Sequence, residues 1–234
     1  GDRVALILPD GPQMAISFLG ISAAATCAPL NPALRAGEFD SVLGSLAPKA
    51  LVVASGADFA AVSAARNRSI PILELCSVGE KSARGLEVHG DEPAPAARPG
   101  FAGATDVALI LFTSGTTARP KLVPLTHANL LASACNIAAA LELSPRDRCL
   151  NLMPLFHIHG LIGGLLATLA SGGSVICPPG FAAAGFFTWL EQFEPTWCTA
   201  VPTMHQEILA QAPGRMETIR RYPLRFIRSS SSAL

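Results

Sequence analysis

Two kinds of hydrophobic run alternate along this chain. Short, nearly continuous apolar stretches occur at residues 4–8, 26–30, 50–53, 70–75 and 107–112, each of a length that suits a buried strand. Between them lie segments with apolar residues at roughly helical spacing. The first follows the turn Pro9-Asp10-Gly11, carries Pro12 in its opening turn, and repeats Met14, Phe18, Leu19 and Ile21. Residues 38–46 and 58–66 read the same way.

The second half continues the alternation. Strands are expected around Val107, Leu122 to Pro124, Cys149, Ser174, Trp197 and Leu224. Helices are expected from a Thr126 cap to Leu141, and from near Gly160, Ala182 and Thr203. Strands alternating with helices predict an α/β fold of mostly parallel sheets covered by helices. Residues 79–105 differ in character, being rich in Gly, Pro, Ala and charge, with Asp91-Glu92-Pro93-Ala94-Pro95 and Arg98-Pro99-Gly100. That stretch reads as a surface connection between a first α/β lobe, 1–78, and a second, 106–234. No internal repeat is visible.

Composition narrows the class. Half of the 234 residues are hydrophobic and 15% are charged, too apolar for a disordered chain. Net charge is zero, so electrostatics offers no case for nucleic acid or an anionic membrane surface. The six cysteines, at 27, 76, 135, 149, 177 and 198, form no CxxC pair. They favour reduced thiols in a cytosol-like compartment over a disulfide framework or a zinc site. No Asp, Glu, Lys or Arg falls between Arg148 and Glu191. Its longest helix-like apolar piece, Gly160 to Ala170, is shorter than the roughly 20 residues a bilayer requires, so a buried core is expected there and no transmembrane segment.

Candidate chemistry concentrates after the strand at 107–112. Thr113-Ser114-Gly115-Thr116-Thr117-Ala118-Arg119-Pro120-Lys121 offers hydroxyls, a glycine and a cation in one turn. Phosphate binding uses such groups: free backbone N–H donors, hydroxyls, and a lysine to offset charge. Sheets of this class also bind ligands past the carboxyl ends of their strands. The turn is not a GxxxxGK[ST] loop, since Pro120 and Leu122 occupy the positions of the second glycine and the hydroxyl. A Ser/Thr-rich surface turn capping its own backbone has the same composition.

Thr113–Thr117, then Arg119-Pro120-Lys121 and Thr126-His127-Ala128-Asn129-Leu130, resemble the phosphate-loop signature of the adenylate-forming enzymes. Pro154-Leu155-Phe156-His157-Ile158-His159-Gly160 is similar to that family's Pro-Leu-Phe-His-x-x-Gly. Gly1-Asp2-Arg3-Val4-Ala5-Leu6, Pro29-Leu30-Asn31-Pro32, Val201-Pro202-Thr203 and Leu224-Arg225-Phe226-Ile227-Arg228-Ser229 extend the likeness over nearly the whole chain. The resemblance implies the large N-terminal domain of that two-lobed fold.

It also implies roles. Thr113, Ser114, Gly115, Thr116 and Thr117 would wrap the β- and γ-phosphates of ATP, and Lys121 would add charge as pyrophosphate leaves. Arg119 would face solvent. His157 would lie beside the carboxylate being activated and the α-phosphate it attacks. His157 and His159 would not form a metal site, and magnesium would arrive with ATP. The implied activity is that of a carboxylate–CoA ligase with ATP and CoA as co-substrates. The Arg-Ser-Ser-Ser segment is faintly similar to small-diacid ligases. A non-catalytic nucleotide-binding module of the same fold and a peptide-synthetase adenylation domain are the alternatives. The former is favoured by Ala118 and Leu122, which stand where the family usually has glycine.

The family's Tyr-Gly-x-Thr-Glu motif, ribose-binding aspartate, hinge and distal lysine have no counterpart here. The resemblance therefore implies an internal piece of the N-terminal domain, truncated at its C-terminal end and inactive in isolation. No G-x-S-x-G elbow is present, and the serines at 229–232 lack the context of a nucleophile.

Overall fold

The computed structural model of the chain describes residues 1–57, 60–77, 86–96, 99–113 and 121–230. Its first elements are β1 (Arg3–Ile7), α1 (Pro12–Ser22), β2 (Thr26–Pro29), α2 (Ala36–Leu46), β3 (Ala50–Ala54), α3 (Ala60–Asn67), β4 (Ile72–Ser77) and β5 (Leu86–Gly90). Then come β6 (Val107–Thr113), β7 (Lys121–Thr126), α4 (His127–Ala140) and β8 (Arg148–Asn151). A π-helix (His159–Leu166) runs directly into α5 (Ala167–Ala170). The chain continues through β9 (Ser174–Ile176), α6 (Ala183–Phe193), β10 (Trp197–Ala200) and α7 (Pro202–Gln211). A 3-10 turn (Ala212–Arg215), α8 (Met216–Arg221) and β11 (Phe226–Ser229) follow.

One sheet has the order β5-β4-β3-β1-β2-β6-β7, and a second the order β11-β10-β8-β9. All neighbouring pairs are parallel except β4 with β5 and β6 with β7. This is the expected α/β architecture. Contacts divide the chain into two compact units, Gly1–Pro9 with Gln13–Asn129, and Asp10–Pro12 with Leu130–Leu234.

In the first unit, β1 and β3 are buried because their residues are apolar on both faces, as parallel strands between helix layers require. Helix α2 turns Phe39, Val42, Leu43 and Leu46 inward, the helical repeat, against Ala5, Ile7, Leu51 and Val53. Each such side chain contributes about 1.5–3 kcal/mol of burial. Within the Gly/Pro-rich stretch read as a connection, Leu86–Gly90 forms a strand, antiparallel to β4.

Thr126 caps α4 as its position suggested. Its Oγ1 accepts the Asn129 N–H at 3.2 Å, and Asn129 Oδ1 accepts the Thr126 N–H at 3.1 Å. Leu122 sits inside β7 opposite Phe112, and its side chain packs on the core of this unit. The backbone there is extended strand, so a leucine carries no conformational penalty where the family has glycine. One argument for an impaired loop is thereby removed.

In the second unit, Leu150, Leu152, Phe186, Phe187, Leu190, Cys198 and Ala200 form the core between sheet and helices. The charge-free stretch after Arg148 is this interior: His159 through Leu165 are all buried. Among the described residues no helix is long and apolar enough to cross a membrane. The amino ends of the strands are tied by Asp147, which is 5% exposed. Desolvation pushes its carboxyl up, but the Ser144 N–H and the Thr196 and Ser144 hydroxyls, helped by Arg225, outweigh that and leave it below the ordinary value. Those donors lie 2.8 to 3.1 Å from its oxygens.

Candidate active site

The turn after β8 is assembled from short-range constraints. Asn151 closes the strand, and its side-chain amide donates to the Gly160 carbonyl at 3.0 Å. The Met153 N–H donates to the Asn151 side-chain oxygen at 3.3 Å. A β-carbon on Gly160 would collide with the Pro154 carbonyl oxygen, and one on Gly164 would meet the Asn151 amide at 2.6 Å. Glycine is therefore needed at both places for the π-helix to lie this close to β8 and its following loop. Widened helical turns of this kind recur at functional sites.

The folded-back loop presents His157. The Leu155 N–H donates to the Asp10 carboxylate at 2.8 Å, which fixes the loop two residues earlier. The His157 N–H donates to the Pro154 carbonyl at 3.2 Å, and its ring packs on Phe156 with centroids 4.7 Å apart. His157 retains solvent access. Desolvation on its packed side lowers its pKa below the ordinary imidazole value, and the Asp10 charge opposes that shift. Desolvation raises the Asp10 carboxyl, countered by the Leu155 N–H and by His157. The arrangement offers a neutral imidazole at pH 7, able to accept or donate one hydrogen bond to a ligand oxygen.

The other expected site residues fall in the first unit. Thr113 ends β6 and pairs with Lys121, which begins β7 and is exposed. The turn's remaining residues, Ser114, Gly115, Thr116 and Thr117 with Ala118, Arg119 and Pro120, lie outside the described residues. Strand β6 thus ends and β7 begins where the phosphate turn was expected, with the turn linking antiparallel neighbours.

A second polar cluster in the second unit was not singled out from sequence. Asn151, Thr199 and Arg228 stand side by side in the register of β8, β10 and β11, so their side chains share one face of the sheet. His159 meets them from the π-helix: its Nε2 lies 2.7 Å from Thr199 Oγ1. The Ser230 hydroxyl lies 3.0 Å from His159 Nδ1 and 3.2 Å from Nε2. Arg228 Nη1 donates to Thr199 Oγ1 at 3.2 Å, and His205 Nε2 donates to the Arg228 carbonyl at 3.1 Å. Burial, reinforced by Arg228 and His205, drives the His159 pKa down to about 4. Alternation along β11 was the available signal. Phe226, Arg228 and Ser230 occupy one face of a strand expected to be buried, and an arginine there requires a reason.

The profile of the AMP-binding enzyme family matches residues 1–234, and the chain belongs to that family. It is 41% identical to an oxalate–CoA ligase of Arabidopsis thaliana over 239 residues, covering 100% of this chain and 46% of that protein. Identity to an oxalate–CoA ligase of Saccharomyces cerevisiae is 36% over 257 residues, again 100% of this chain and 46% of the relative. Among solved structures, a malonyl-CoA ligase in a product complex with methylmalonyl-CoA and AMP superimposes with a TM-score of 0.79 at 25% identity, over 98% of this chain and 46% of that one. ATP-bound MatB from Rhodopseudomonas palustris gives a TM-score of 0.79 at 26% identity, over 99% and 45%. The chain therefore spans about half the length of the curated relatives it matches.

Proposed function

We propose that the complete protein is an ATP-dependent carboxylate–CoA ligase that forms an acyl-adenylate and then a thioester. The observation that carries this reading is the His157 turn, whose sequence matches the family motif and whose backbone is fixed by Asp10 and Asn151. The names of the relatives, oxalate–CoA ligase and malonyl-CoA ligase, agree in reaction type.

In this reading a carboxylate oxygen attacks the α-phosphorus of ATP, and the bond to the β-phosphate oxygen breaks to release pyrophosphate. The CoA thiol then attacks the acyl carbon, its proton goes to solvent or a base, and AMP leaves. ATP enters as its magnesium complex, with the metal carried by the nucleotide. Thr113, Ser114, Gly115, Thr116 and Thr117 bind the β- and γ-phosphates, and Lys121 offsets the charge that builds on pyrophosphate. His157 orients the attacking carboxylate as an uncharged donor, so that it binds the nucleophile without neutralising it. A reducing, cytosol-like compartment fits the six free cysteines, one of which, Cys135, is exposed.

The test is direct. The complete reading frame, purified and given MgATP, CoA and a panel of carboxylates, should yield AMP, pyrophosphate and an acyl-CoA thioester in equal amounts. Release of ADP, or adenylation supported by amino acids alone, would overturn the reading.

A further inference from the structure

Arg228 is an unusual occupant of a sheet face. It is half-buried, lies between Thr199 and the π-helix, and has no carboxylate within ion-pair distance among the described residues. Its one side-chain hydrogen bond there is from Nη1 to Thr199 Oγ1. The remaining guanidinium N–H groups have no partner among the described residues. A desolvated charge left unpaired is costly, and proteins retain one where a ligand completes it.

Space has been made for this charge. A β-carbon on Gly163 would stand 2.6 Å from Arg228 Nη1, so the guanidinium occupies room that exists because residue 163 is glycine. Two further ligand-competent groups converge there. His159 is uncharged and 8% exposed, and the Ser230 hydroxyl lies against its ring. All sit at the carboxyl ends of β10 and β11, the edge at which open α/β sheets bind ligands.

Resting on the ligase reading above, we propose that Arg228, with His159 and Ser230, forms an anion subsite that takes the second carboxylate of a short diacid. Guanidinium and carboxylate match in charge and in planar geometry. His159 and Ser230 supply neutral donors to the remaining lone pairs. The subsite selects by charge: a monoacid of equal size leaves Arg228 buried without a counter-ion, and a site built to pair a polar group rejects an analogue lacking it.

The experiment uses the complete reading frame and three matched pairs in which a methyl replaces one carboxylate: oxalate with acetate, malonate with propionate, succinate with butyrate. Acid-dependent pyrophosphate release gives kcat/KM for each. The expected result is that at least one diacid exceeds its partner by about 100-fold or more. Arg228→Met should collapse that ratio towards one, and Arg228→Lys should restore part of it. Gly163→Ala, which crowds the guanidinium without removing it, should lower the same ratio, and melting temperatures report whether each variant folds.

If monoacids are activated as well as or better than diacids by the unaltered enzyme, the subsite is refuted while the ligase reading stands. If Arg228→Met lowers both members of a pair equally, Arg228 is only a structural partner of Thr199 and the subsite is again refuted. If no carboxylate supports pyrophosphate release, both readings fall together.

Discussion

The Asp10 carboxylate accepts the Leu155 N–H at 2.8 Å across 145 residues of sequence, and so fixes the loop that presents His157. A turn read from sequence only as Pro-Asp-Gly punctuation is thereby part of the candidate active site. Asp10 acts on His157 twice, through the backbone it positions and through its charge, which raises the imidazole pKa against desolvation.

Asp10→Asn should separate the two effects. The amide oxygen still accepts the Leu155 N–H, but the charge is gone, so the His157 pKa falls further below its ordinary value. Titration followed by NMR of the His157 ring checks the direction. Asp10→Ala also loses the backbone anchor, which costs about 1–3 kcal/mol for a buried donor left unpaired. Adenylation by Asp10→Ala should therefore drop more than by Asp10→Asn, with kcat affected about 10-fold more.

His159 makes the fold acid-sensitive. Its pKa is about 4 in the folded chain, against an ordinary value of 6.5. Below 6.5 the unfolded chain takes up a proton that the folded chain refuses, so stability is complete above pH 6.5 and declines as pH falls towards 4. The groups facing the ring are Arg228 on β11, His205 on α7, Thr199 on β10 and the Ser230 hydroxyl. Two of them are basic and none is acidic, so no neighbour rescues the protonated ring. Between pH 7 and 4.5 the unaltered protein should lose about 2 kcal/mol more than His159→Gln does. Urea unfolding at both pH values measures it. An equal loss in both proteins would show that His159 is not the group responsible.

What sequence conveyed and what it did not divide along physical lines. The strands β1, β3, β6 and β8 were legible because parallel strands between helix layers are continuous apolar runs. The Thr126 cap was legible because the capping box is local. His157 and the phosphate turn were found through resemblance, since neither hydroxyls in a turn nor one histidine is specific by itself. The His159–Thr199–Arg228–Ser230 cluster was not found, because it joins a π-helix to two strands up to 71 residues away. Only strand register, which sequence does not print, brings Thr199 beside Arg228. The same holds for Leu122. In sequence it is a missing glycine, and in the fold it is a strand residue packed on the core.

Gly160 carries the tightest demand for a missing side chain. The β-carbon of an alanine would strike the Pro154 carbonyl oxygen, a backbone atom that cannot swing aside. The loop preceding His157 would have to shift. Gly160→Ala should destabilise the protein by about 1–3 kcal/mol and lower kcat for adenylation more than it raises KM for ATP. Gly20, with nothing within 4 Å of its added β-carbon, is the control: Gly20→Ala within α1 should stabilise by about 0.5–1 kcal/mol. Thermal unfolding of the two variants in parallel distinguishes a steric demand from a general intolerance of alanine.

Lys121 decides between catalysis and mere nucleotide binding. It begins β7 directly after the phosphate turn and is exposed, so replacing it should leave the fold intact. In a working ligase, charge accumulates on departing pyrophosphate, and a cation placed to meet it stabilises the transition state more than bound ATP. Lys121→Ala should then lower kcat for adenylation by about 100-fold, the scale found when a donor at a developing charge is removed, while KM for ATP rises less. A binding module without chemistry would show the reverse: weaker nucleotide affinity and no step to slow. Steady-state kinetics on the complete protein, paired with equilibrium ATP binding, reads both quantities. A rise in ATP dissociation constant that accounts for the whole loss of kcat/KM would remove Lys121 from the catalytic step.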